Sequence, residues 1–211
     1  VLPKINTFDA EWIDETRLGI SRAGDAGFGS SLVTIVDVRA GKEHRIIQVK
    51  GASGGVTIDG KENLFCGNGF GTGDDTGMIR AFPADLWKDA LAIGREIVFE
   101  EEGILVANLL SAASLGFDRT GNLHVGGGNG TGPGNQPDKG YAGVVSKQAI
   151  TDVLAGGEPV DPNSPPEKLQ RLDPDPDVLG NFWYVDANHC REELYLKDFG
   201  KSEVLVFKEA T

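Results

Sequence analysis

The sequence predicts an all-β protein of four-stranded antiparallel blades, and three observations predict it. The first is a phrase written four times: an extended run ending in Asp, a short turn, then a run built on Leu. Its copies are Trp12-Ile13-Asp14 with Arg17-Leu18-Gly19-Ile20, Val56-Thr57-Ile58-Asp59 with Asn63-Leu64-Phe65-Cys66, Leu115-Gly116-Phe117-Asp118 with Asn122-Leu123-His124-Val125, and Trp183-Tyr184-Val185-Asp186 with Glu193-Leu194-Tyr195-Leu196. The second is spacing. The four aspartates stand 45, 59 and 68 residues apart, the length of a four-stranded propeller blade and beyond a helical repeat of about 34. The third is that each copy runs on into further extended segments, such as the β-branched Leu32-Val33-Thr34-Ile35-Val36-Asp37-Val38. Together they read as one β-propeller domain of about four blades, either a complete small ring or part of a larger one.

The first blade, 9–50, takes strands at 10–14, 17–22, 32–38 and 45–49. The second, 51–103, takes 55–59, 63–68, 78–82 and 96–100, and the third, 104–173, takes 114–118, 122–126, 141–146 and 168–172. The fourth, 177–211, offers only 182–186, 193–198 and 203–208. Residues 1–8, with Leu2, Ile5 and Phe8 alternating, are expected to supply its missing outer strand, because an open sheet edge invites unwanted pairing. The competing expectation is that they belong to a preceding blade of a longer protein. The chain opens on Val1, which reads as a processed form, a trimmed chain or a piece of something longer. Between the third and fourth strands of the middle blades, Trp87-Lys88-Asp89-Ala90-Leu91-Ala92 and Ile150-Thr151-Asp152-Val153-Leu154-Ala155 predict two short helices. Leu86, Ala90, Leu91 and Ile93, and then Ile150, Val153 and Leu154, share a face at helical spacing, with Gly94 and Gly156 as stops.

A net charge of −12 without any basic cluster argues against nucleic acid as a partner, and no apolar run reaches the roughly 18 residues of a membrane span. Cys66 and Cys190 are too few for a disulfide framework. They read as two separate buried thiols, or as one bridge if the chain is exported, and a periplasmic or extracellular location is favoured over the cytoplasm.

Asp118-Arg119-Thr120-Gly121-Asn122-Leu123-His124-Val125, with Asp59-Gly60-Lys61-Glu62-Asn63-Leu64-Phe65-Cys66 as a looser copy, resembles the signature of NHL-repeat and gluconolactonase- or regucalcin-like propellers. In that signature Asp bonds backbone groups of the turn and Gly takes a positive φ. The resemblance implies a propeller and, from the hydrolases of that group, a divalent cation at the channel mouth held by acidic and amide side chains.

The turns joining second to third strands are glycine-rich, and the middle two share Gly-Asn-Gly, at Gly67-Asn68-Gly69 and Gly128-Asn129-Gly130. Asn68, Asp74, Asp75, Asn129, Asn135 and Asp138 in these turns are expected to bind ligand, and such oxygen donors suit calcium, which takes 6 to 8 oxygens. Asp74, Asp75 and Asp186 are the candidate carboxylate ligands of a metal. His124 and His189, beside Asp186 and Cys190, form a candidate transition-metal or acid–base cluster near the axis. The function expected is a module that binds a small molecule or protein on its glycine-rich face, with calcium in a structural role. The alternative is a metal-dependent hydrolase of the lactonase or esterase kind. Self-association, or pairing with a missing half of the ring, is the expected assembly.

Overall fold

Runs of β-branched and aromatic residues broken at Asp, Asn and Gly form four predominantly antiparallel sheets in the computed structural model. It describes residues 7–24, 27–51, 53–68, 77–109, 111–127, 141–172, 182–188, 193–198 and 203–208. The first sheet runs in chain order through β1 (Thr7–Trp12), β2 (Arg17–Gly24), β3 (Gly27–Asp37) and β4 (Lys42–Lys50). The second holds β5 (Val56–Ile58), β6 (Leu64–Gly67), β7 (Met78–Phe82) and β9 (Ile104–Asn108). Between β7 and β9 lie α1 (Ala84–Ile93), β8 (Ile97–Val98) and α2 (Phe99–Glu102), and β8 leaves its own sheet to pair parallel with β4. The third sheet holds β10 (Ser114–Phe117), β11 (Leu123–Gly127), β12 (Tyr141–Val145) and β13 (Leu169–Arg171), with α3 (Lys147–Leu154) between its last two strands. The fourth holds β14 (Phe182–Asn188), β15 (Glu193–Asp198) and β16 (Glu203–Lys208).

Period-two alternation in the second sheet explains how the layers stack. Val56, Leu64, Cys66 and Phe82 face Val33, Ile35, Ile47 and Val49 of the first sheet, joined by Trp87 of α1 and by Ile97 and Phe99. Phe65, Ile79 and Ala81, at the alternate positions of β6 and β7, face the other way, onto Leu115, Leu123, Val125 and Val145 of the third sheet and Ile150 of α3. Phe65 meets Phe117 edge to face, with ring centroids 4.9 Å apart. Each fully buried side chain of this size contributes about 1.5–3 kcal/mol. Opening strands also adjoin in order: β1 packs on β5, β5 on β10, and β10 on β14.

The two expected helices form where their apolar spacing places them, and Gly94 closes α1 at φ 69°. Three expectations need correction. The fourth strand of the second sheet is β9, not 96–100, because Ile97 is drawn to Ile47 of the first sheet and Phe99–Glu102 coils into α2. Thr7 and Phe8 belong to β1, where Thr7 stands opposite Arg22, so these two are not part of a separate outer strand, and 1–6 lie outside the described residues. Asp186, expected to end its strand, lies inside β14 opposite Tyr195. Among the described residues no helix is long and apolar enough to cross a membrane.

Candidate functional site

The repeated Asp builds a turn before it does anything else. Asp118 Oδ1 accepts from the Thr120 amide at 2.9 Å, the Thr120 hydroxyl at 2.7 Å and the Asn122 amide at 2.9 Å. Its Oδ2 accepts from Asn122 Nδ2 at 3.0 Å and lies 3.0 Å from His124 Nε2. Burial alone would raise the Asp118 carboxyl, but the Thr120, His124 and Asn122 bonds outweigh it and hold the group at about 2. Asp59 repeats the scheme with Lys61 and Asn63, and Asp14 with Thr16 and Arg17. An ionised Asp118 accepts only, so His124 Nε2 carries the proton of this contact. The Nδ1 of His124 is buried and has no hydrogen-bond partner among the described residues.

The second and third sheets splay apart at these turns, leaving a cleft of about 660 Å³. Asp59 and Asp118 stand in its walls, Ile58, Phe117, Ile150 and Leu154 supply apolar surface, and Lys61, Arg119 and Lys147 bring positive charge to it. Thr57 and Glu11 complete the inner wall, Glu11 reaching in from β1. The size lies within the roughly 300–1,000 Å³ of small-molecule sites, and rigid polar turns beside apolar walls are the usual makeup of such sites. The Asp59 and Asp118 carboxylates are already committed to the turns. What the walls offer a ligand is apolar contact, hydroxyls, ammonium and guanidinium groups, and the Glu11 carboxylate at the inner wall.

Two residues from β1 complete this region, and neither carries a sequence signal. Asp9 Oδ2 accepts the Val56 amide of β5 at 3.0 Å. Burial pushes its carboxyl up to about 7 against that bond, with Glu11 adding to the rise. Asp9 stands outside the Asp-turn-Leu phrase that makes Asp14, Asp59 and Asp118 conspicuous. Apolar–polar alternation through Phe8, Ala10 and Trp12 is the one hint that Asp9 and Glu11 share a face.

Of the residues singled out from sequence, Asn68 closes the root of its glycine-rich turn. Its Oδ1 accepts the Met78 amide at 2.8 Å, and its own amide donates to the Met78 carbonyl at 3.0 Å. Asp74, Asp75, Asn129, Asn135, Asp138 and His189 lie outside the described residues, as does Cys190. Asp186 has its backbone in β14, which runs beside the β11 strand that carries His124. Cys66 is a free thiol buried on β6, and burial pushes its ionisation up. Among the described residues no three His, Cys, Asp or Glu side chains gather closely enough to hold a metal ion, and the turn donors expected for calcium other than Asn68 lie outside those residues.

No family model and no curated protein matches the chain. Solved structures do. A candidate phosphatase from Bacteroides thetaiotaomicron VPI-5482 superposes with a TM-score of 0.58 at 13% identity, over 95% of this chain and 44% of that one. Tricorn protease aligns with 89% of this chain and 14% of its own length, at 10% identity and a TM-score of 0.45. The chain therefore spans less than half of the first structure, and at such identity the likeness concerns the fold alone.

Proposed function

We propose that this chain is a ligand-binding module of β-propeller build, resembling the NHL-type group, and that a small molecule enters between its second and third blades. The observation that carries the reading is the cleft of about 660 Å³. Its walls are held by turns whose carboxylates are already hydrogen-bonded, so the shape is set before a ligand arrives. The order of the sheets and the succession β1, β5, β10 and β14 support the propeller arrangement. This reading assigns the glycine-rich turns with Asp74, Asp75, Asn129, Asn135 and Asp138, which lie outside the described residues, to the opposite rim, for calcium or a protein partner. Backbone shift mapping with a library of small soluble compounds tests the proposal. Shifts gathered at Lys61, Arg119, Gly121 and Lys147 support it, and shifts confined to the glycine-rich turns move the site to the other rim.

A metal-dependent hydrolase is the second reading, and one observation favours it. The buried Nδ1 of His124 has no partner among the described residues, and Asp118 holds the opposite ring nitrogen, the way carboxylates orient metal-binding histidines. Lactone turnover that appears with added zinc or calcium and is lost in His124→Ala would establish it. Turnover that ignores both would remove it.

A further inference from the structure

Asp9 stands where three sheets meet. Its strand, β1, packs on β5, and β5 packs on β10. The carboxyl bonds the Val56 amide of β5 at 3.0 Å and lies in reach of the Leu115 amide of β10. Both amides belong to opening strands, so a single side chain of the first sheet ties together the second and third. We propose that Asp9 is a proton-operated latch: neutral, it docks β1 against β5 and β10, and ionised, it loosens that seam.

The surroundings give the sign. On its own strand the nearest charge is Glu11, and from β6 the Cys66 thiol faces it, held in its neutral form by burial. On β2 the residue opposite is Ser21, whose hydroxyl is engaged with Ser53 and the Gly54 carbonyl, while the neighbouring Arg22 is paired with Glu43 at 2.8 Å. Among these groups none offers a free positive charge to an ionised Asp9. Burial accordingly pushes its carboxyl from 3.8 up to about 7. A carboxyl that binds its proton more tightly when docked than when released contributes stability at low pH, and that contribution fades as pH rises through the docked value. Opening of the seam releases one proton to water. Because Glu11 is two residues further along and lines the cleft, loosening β1 also removes part of the cleft wall, so the latch connects the pH to the site whatever ligand it takes.

The test is hydrogen exchange of the β1 and β5 amides between pH 4.5 and 8.5, expressed as protection factors to remove the intrinsic pH dependence. Local opening should grow about tenfold per pH unit up to about 7 and then level off. In Asp9→Asn, which keeps the shape and an acceptor oxygen, the slope should vanish. Equal wild-type protection at pH 5 and pH 7 overturns the proposal without any variant. So does an Asp9→Asn protein that retains the wild-type slope.

Discussion

The second and third sheets carry the same turn, yet their outer seams are finished differently. At the position six residues after the turn aspartate, the second sheet has Phe65 and the third has His124. Phe65 is fully buried against Phe117 and seals the second sheet to the third. His124 is also buried, on a strand that packs against β14, but it spends one nitrogen on Asp118 and leaves the other without a partner among the described residues. The turns differ too. Gly121 takes φ 92° in the third sheet, where Glu62 takes φ 63° in the second. Glycine adopts that region freely and glutamate does not, so the second turn keeps its shape through other contacts, including the Trp87 indole N–H that donates to the Glu62 carbonyl at 2.9 Å. One motif thus builds both hairpins. The residues around it decide whether a seam is sealed by packing or left with a polar vacancy.

The largest effect that sharpens this comparison is loss of the turn aspartate. Asp118→Ala removes five hydrogen bonds and strands buried donors, for a cost of about 3 kcal/mol in urea unfolding. Asp59→Ala, with three bonds at a more exposed turn, should cost about half as much. Equal costs would mean that His124 and Thr120 add nothing. Acid supplies the same contrast without mutation. Asp118 ionises at about 2 when folded against 3.8 ordinarily, so its contribution is complete above 3.8 and is lost as pH falls through 2. Acid unfolding below pH 4 should therefore become shallower in Asp118→Asn.

Next in size is the glycine. Gly121→Val forces a β-branched residue to positive φ and brings its Cβ to 3.2 Å from the Lys147 side chain, costing about 1–2 kcal/mol. The reciprocal Glu62→Gly should gain up to about 1 kcal/mol by relieving the same conformation, and a loss there would show that the Glu62 pairing with Lys88 matters more than the backbone. The smallest change belongs to the seam itself. His124→Phe gives up the bond to Asp118 but removes the unsatisfied nitrogen, so the melting temperature should shift by no more than a few degrees. A large loss would mean that Nδ1 has a partner on the fourth sheet.

Much of the fold was legible because it depends on local chemistry that a sequence displays. The Asp-turn-Leu phrase located the first hairpin of each of the first three sheets, and the apolar spacing about Ala90 and Val153 located α1 and α3. Failures came where tertiary contacts decide. Ile97 and Val98 have strand chemistry, but only the neighbouring β4 makes them part of the first sheet rather than the second. The same holds at the site. Asp118 and His124 stand inside the motif and were visible, whereas Asp9 owes its character to burial beneath strands that carry Val56 and Leu115, about 50 and 100 residues away in sequence. A lone Asp in a strand gives no sign of such neighbours.

The account rests on opening strands of successive sheets lying side by side, and the bond between Asp9 and Val56 reports it most directly. The measurement is the pH titration of the Val56 amide by two-dimensional NMR in the wild type and in Asp9→Asn. The account predicts a Val56 shift with a midpoint near 7 that disappears in the variant. A Val56 amide that does not titrate, or one that follows a midpoint near 4 like a carboxylate in open water, would contradict it.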